Sequence, residues 1–197
     1  MAALTLPLFP LSTVLFPGGQ LLLRVFEPRY LSMVSRCMRE QHGFGVVLIE
    51  KGSEVGSAQF VTTGTIAEIV DWHQGSDGLL GLTAEGRERF RVVEYEQQAD
   101  GLYLGTIEML AQEPRHGLTE HFSGLAALLK GLLEEAGAPY DRIRKDFDDA
   151  SWVGYRLAEL LPLPVALKQS LLELEDAQRR LERLEPHIAE LTASENV

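Results

Sequence analysis

The stretch from Leu6 to Val34, LPLFPLSTVLFPGGQLLLRVFEPRYLSMV, limits what this chain can fold into more than any other. It reads as strand, turn, strand and helix with almost no slack. Leu6 and Leu8, then Val14, Leu15 and Phe16, are apolar runs punctuated by Pro7, Pro10 and Pro17. Proline has no N–H to give to a ladder, so such runs are expected at strand starts and sheet edges. Pro17-Gly18-Gly19 predicts a type II turn, with proline presetting φ at i+1 and Gly18 free to take the positive φ needed at i+2. Leu21 to Phe26 returns as an apolar strand. Glu27-Pro28 then opens a helix, since proline is tolerated at the first helical position and a carboxylate there suits the dipole. Tyr30, Met33, Val34, Cys37 and Met38 give that helix one apolar face at spacings of three and four.

From Phe44 to Leu110 the signals are those of short strands. Phe44 to Glu50 is a continuous apolar run, and Phe60 to Val70 is rich in β-branched residues, with Gly64 as a bulge or bend. The polar connection 71–78 contains the tight-turn pair Asp77-Gly78. Leu79 to Thr83 and Arg89 to Tyr95 follow as separate strands, and Ala99-Asp100-Gly101 turns the chain into Leu102 to Leu110. Five or six strands at this spacing, with one early helix, predict a closed or nearly closed barrel over residues 1–113.

Residues 114–197 read as helical, which makes the fold class α+β, a barrel followed by a helical bundle. Phe122, Leu125, Leu128, Leu129, Leu132 and Leu133 mark one helix, ended by Gly137-Ala138-Pro139. A second is expected from Phe147 to Leu161, stopped by Pro162 and Pro164. In the long final helix Leu167, Leu174, Leu181 and Ile188 recur every seven residues, with Ala177, Leu184 and Leu191 as a companion seam. Such a seam serves a bundle or a homodimer through the last helix. Pro186 falls inside it and predicts a kink or an end.

The absences restrict chemistry. No Gly-Lys pair exists, so the phosphate-cradling GxxxxGK[ST] loop is missing, and no GxGxxG follows a strand. A net charge of −11 disfavours nucleic acid as a partner, because phosphate contacts need clustered Lys and Arg. The single cysteine, Cys37, excludes an internal disulfide and a Cys-rich zinc site, and its place on the helix face reads as a buried thiol. His116 and His121 lack HExxH spacing, Ser76 lies in a turn without nucleophile-elbow spacing, and Asp146, Asp148 and Asp149 lack the glycine and closing glutamate of a calcium loop. No cofactor or metal is expected. No leader and no membrane-spanning run are seen, so a cytoplasmic protein is expected.

The phrases LPLFPLSTVLFPGG and LRVFEPRYLSMV resemble the amino-terminal, substrate-binding domain of Lon-type proteases, also found in free-standing bacterial proteins and in cereblon. The resemblance continues through Phe44 to Ile49, Gly64 to Ala67 and Gly86 to Val92, and returns at Leu160-Leu161-Pro162 and Lys168 to Glu173. It implies a PUA-like barrel and a non-enzymatic module, linked to protein quality control, that binds unfolded or degron-bearing polypeptides or a partner protein. The ATPase and Ser-Lys peptidase modules of whole Lon proteases have no counterpart positions here, so their catalytic residues are not carried over. Two other readings stand beside it: RNA binding by the barrel, and a component of an ATP-dependent peptidase.

Candidate polypeptide-binding residues are Trp72, Arg24, Arg29, Arg87, Arg89 and Arg91. Trp72, in a polar connection, reads either as an exposed anchor or as part of a packed hairpin tip. Arg87, Arg89 and Arg91 alternate and are expected on one strand face, either paired with nearby acids or open to an anionic ligand. Arg24, Glu27 and Arg29 read as family-motif residues or as ion pairs locking strand to helix, with Phe26 and Tyr30 as core anchors.

Overall fold

The structure, a computed structural model, describes residues 4–54, 56, 58–137 and 140–194. It divides into two compact units, one up to Gln112 and one from Glu113 onward. Alanine 138 and proline 139, expected to end a helix, lie outside the described residues.

The first unit contains β1 (Leu4–Leu11), β2 (Gln20–Val25), α1 (Pro28–Glu40), β3 (Phe44–Gly52), β4 (Ala58–Gln74), β5 (Leu80–Gln97) and β6 (Tyr103–Met109). The sheet order is β2-β5-β4-β3-β1-β6, and β5 also pairs with β6, which closes the ring. Among the described residues only β1 and β3 run parallel. Leu8, Phe90, Val92 and Ile107 fill one buried cluster, while Val25, Met33, Val34 and Leu82 belong to a second that takes in the apolar face of α1. Phe9 and Tyr30 stack across that second cluster at 3.9 Å.

Several expectations are corrected here. Strand β1, with Pro7 and Pro10, lies inside the sheet rather than at an edge. It pairs with β6 over Leu4 to Leu8 and with β3 over Leu8 to Leu11. Each proline therefore has a ladder on one side only, as at a sheet edge, although the strand as a whole is interior. Residues 80–97, expected as two strands, form one, and the connection starting at Asp71 is shorter than expected because β4 runs on to Gln74. Gly64 stays in register opposite Val47 and borders an irregularity between Val47 and Ile49.

The Pro17-Gly18-Gly19 turn forms as its composition dictates. Gly18 has φ 69° and the Gly19 N–H donates to the Phe16 carbonyl at 2.8 Å. The turn is clasped to β5: the Gly18 N–H donates to the Gly86 carbonyl at 2.7 Å, and the Gly86 N–H donates to the Gly19 carbonyl at 2.9 Å. A Cβ on Gly86 would sit 2.1 Å from the Phe16 carbonyl oxygen.

The second unit contains α2 (Ser123–Ala136), α3 (Ala150–Leu160), α4 (Val165–Glu173) and α5 (Ala177–Ser194). Asp149 caps α3 by accepting the Ser151 N–H, which gives the acidic cluster a structural role, and Asp146 pairs with Arg115 at 2.8 Å. The expected long final helix is two helices, because the chain leaves helical geometry after Glu173 and Asp176 recaps it, accepting the Gln178 and Arg179 N–H groups at 2.9 and 3.1 Å. Pro186 lies within α5 and does not end it. Ala177, Leu181, Leu184 and Ile188 of the expected seam are buried by the chain itself, while Leu167, Leu174 and Leu191 are half-buried.

Arg180 holds this unit together. Fully buried, it forks onto the Glu113 carboxylate through Nη1 (2.9 Å) and Nη2, donates from Nε to the Leu171 carbonyl at 2.9 Å and lies 3.9 Å over the Tyr155 ring. Burial pushes the Glu113 carboxyl up, but hydrogen bonding and charge from Arg180, with the Tyr155 and Ser151 hydroxyls, outweigh it and hold it below the usual carboxylate range.

Two outcomes are expected. Gly86→Ala should lower the urea midpoint by the equivalent of about 1–3 kcal/mol, since neither backbone can yield to the overlap. A lowered native pKa adds stability above the unfolded value of about 4.3 and loses it as pH falls toward the native value. Helical circular dichroism should therefore fall in acid below about pH 4, and Glu113→Ala, leaving Arg180 buried without its carboxylate, should cost about 3–5 kcal/mol at neutral pH.

Candidate functional site

A groove of about 540 Å³ lies between the C-terminal end of α1 and the far half of β4. Helix α1 stops because Gln41 adopts the left-handed conformation (φ 55°), which turns the following His42 N–H onto the Cys37 carbonyl at 3.1 Å. His42 and Gly43 then carry the chain into β3. Met38, on the groove side of α1, is 40% exposed, although its spacing predicted burial with Tyr30 and Met33. Across from it stand Ile69, Val70 and Trp72 of β4. Trp72 pairs with the core residue Leu82 on β5, yet is itself 55% exposed. It is therefore a strand residue rather than the loop residue expected, and it is open to solvent.

The groove's rim is acidic. Glu68 and Asp71 line it together with Arg87. The Arg87 guanidinium is shared, with Nε on Glu68 and Nη1 on Glu85 at 2.7 Å. Two carboxylates on one cation, plus Asp71, leave excess negative charge.

The remaining candidate residues are dispersed. Arg24 is exposed and pairs with Asp77 in the β4–β5 turn, beside a second hollow of about 450 Å³. Arg29 is buried, pairing with Glu27 at 2.9 Å and donating to the Gly101 carbonyl at 2.8 Å, so it serves the strand-to-helix lock. Phe26, expected as a core anchor beside Tyr30, is 57% exposed. The expected arginine face on β5 does not form: Arg89 is buried, Arg91 is exposed and Arg87 turns to the Glu68 side. A bulge takes Arg87 out of the row, since Thr65 pairs with Arg89 but Ala67 with Gly86, which places an extra residue on β5. Arg89 and Arg91 keep a regular register opposite Thr65 and Thr63 and differ in burial alone.

Histidines 116 and 121 are exposed, and His121 lies 3.2 Å from Glu185. Among the described residues no group of three His, Cys, Asp or Glu side chains could hold a metal ion, and no helix is long and apolar enough to cross a membrane. Cys37 lines the groove floor but is buried, and burial pushes its thiol up to about 11. The groove itself escaped the sequence reading because its walls meet only through the β3–β4 register, and no periodicity in either segment reports that register.

The family described as the ATP-dependent protease La (LON) substrate-binding domain matches residues 5–190. Lon protease 2 of Myxococcus xanthus is 28% identical over 184 residues, covering 89% of this chain and 22% of that protease. Cereblon of Xenopus tropicalis is 30% identical over 108 residues, covering 54% of this chain and 24% of that protein. The chain thus spans only about a quarter or less of these relatives. The crystal structure of a Lon N-terminal domain protein from Xanthomonas campestris superposes with a TM-score of 0.77 at 39% identity, covering 93% of this chain and 98% of that one. The N-terminal domain of Mycobacterium avium complex Lon protease shares the fold, with a TM-score of 0.65 at 17% identity over 92% and 96% of the two chains.

With a thiol near 11, the thiolate fraction at about pH 8 is on the order of 0.1%. The native chain should therefore give no fast reaction with a disulfide reagent such as dithiobis-nitrobenzoate at that pH, and one equivalent after denaturation.

Proposed function

Because this chain belongs to the family of the ATP-dependent protease La (LON) substrate-binding domain, we propose that it is a non-catalytic module that captures unfolded or degron-bearing polypeptides in the groove between α1 and β4. One observation carries the reading: Met38, Val70 and Trp72 are all substantially exposed around a single concavity. Large apolar side chains grouped this way mark an interaction surface, whereas scattered ones do not. Trp72 is the anchor, since an accessible indole offers the largest contact area at small entropic cost. Arg87 stays in the proposal as a rim residue. Arg29 and Arg89 do not, because both are buried. Duty in protein quality control in the cytoplasm is the setting that this reading implies.

RNA binding loses its structural motive, since the bulge splits off Arg87 and Arg89 is buried, which leaves no exposed row of three arginines. The test is titration of reduced, carboxymethylated lactalbumin, which cannot fold, into the full chain. The wild type should bind and Trp72→Ala should bind at least about tenfold more weakly. The exposed position should keep the stability change within about 0.5 kcal/mol. No binding by the wild type, or equal binding by both proteins, would overturn the reading.

A further inference from the structure

Strand β4 outlasts its neighbour. Pairing with β3 ends at Phe44 opposite Ala67, but β4 continues through Glu68–Gln74, and over that length its ladder is to β5. Among the described residues no strand pairs with the other edge of this segment. At about 3.3 Å per residue, these seven residues leave a lane roughly 23 Å long in line with β3. The consecutive residues Glu68 to Trp72 all line the groove. A strand seen face-on would present alternate residues, so the groove is bounded by the strand's edge.

The hydrogen-bonding parity identifies the groups at that edge. At the hairpin end the Gly75 N–H donates to the Leu79 carbonyl at 2.8 Å, and the register places His73 opposite Gly81 and Asp71 opposite Thr83. In an antiparallel ladder, bonded pairs alternate with non-bonded ones. His73 and Asp71 therefore face β5, while the main-chain groups of Trp72 and Gln74 face the open lane. The Trp72 N–H confirms this, being held by the Asp71 carboxylate at 2.8 Å rather than by β5. That side-chain cap is a guard of the kind that keeps edge strands from indiscriminate pairing.

We propose that this edge receives an extended polypeptide as an added β-strand, with a pattern of alternating apolar and basic residues. This rests on the function proposed above and specifies its mode of binding and its ligand class. The incoming main chain displaces the Asp71 carboxylate from the Trp72 N–H and bonds to Trp72 and Gln74. The two sides of the lane differ in chemistry. Ile69 and Trp72 pair with the core residues Ala84 and Leu82, so they lie on the α1 side, and the residue at Val70 bulges. Glu68 and Asp71 pair with Glu85 and Thr83 on the opposite side. Side chains of the added strand alternate likewise, one set entering the apolar groove and the other meeting Glu68 and Asp71.

The probe is acetyl-Thr-Val-Lys-Phe-Lys-Val-Thr-amide, titrated into the full chain and followed by amide resonances. Binding should shift the Trp72 and Gln74 amides and slow their exchange with solvent. Two N-methylated versions, one methylated at both lysines and the other at Val, Phe and Val, block opposite edges of the peptide. One should bind within about twofold of the parent and the other at least about tenfold more weakly, because only one edge faces β4. Replacing both lysines by glutamate should weaken binding at least about tenfold. If both methylated peptides bind like the parent, or both are lost, strand addition is wrong; equal binding of the glutamate peptide refutes the basic requirement. If the parent peptide fails while carboxymethylated lactalbumin still binds in a Trp72-dependent manner, this inference falls and the general reading stands.

Discussion

The clasp between the Phe16–Gly19 turn and β5 is the contact from which the barrel's geometry follows. Gly86 is the point where β5 changes partners: β2 pairs with it up to Glu85, and β6 takes over from Phe90. Between those ladders the strand's polar groups would be orphaned. The turn satisfies Gly86 in both directions, and the Leu110 N–H donates to the Arg89 carbonyl at 3.0 Å. Thr65 on β4 adds a buried hydroxyl bond to the Leu15 carbonyl at 2.6 Å. Each such bond is worth only about 1 kcal/mol net, but leaving a buried partner unmade costs more. The same junction holds the bulge that separates Arg87 from Arg89 and Arg91.

That arrangement also fixes where the sheet stays unfinished. With β5 held in register against β2, the β4–β5 hairpin projects beyond β3, and the chain leaving α1 at Gln41–Gly43 enters β3 too late to cover it. An apolar groove, an acidic rim and an unpaired strand edge are thus consequences of one mismatch in strand length. This is the surface on which the proposed capture of a polypeptide rests.

Features governed by neighbouring residues were legible in the sequence. The Pro17-Gly18 turn, the Glu27-Pro28 helix start and the Gly101 turn (φ 88°) each depend on the local conformational limits of the residues involved. Features governed by distant partners were not. Pro7 and Pro10 suggested an edge, yet β1 changes partner halfway along its length. Alternation placed Arg87, Arg89 and Arg91 together, but a bulge beside Gly86 set Arg87 apart, and Arg89 is buried. The heptad from Leu167 to Ile188 suggested one helix, although Asp176 is a capping residue whose signal the seven-residue repeat concealed. Trp72 was found for its exposure, while the groove beside it needed the β3–β4 register.

Native-state amide hydrogen exchange tests most directly whether the clasped junction is firm and the β4 edge free. The Gly18 and Gly86 amides should exchange only through global unfolding, whereas the Gln74 and Trp72 amides should exchange orders of magnitude faster, without unfolding. Protection at Gln74 and Trp72 equal to that at Gly86 in the unliganded chain would show that the edge is already occupied, and would contradict this account.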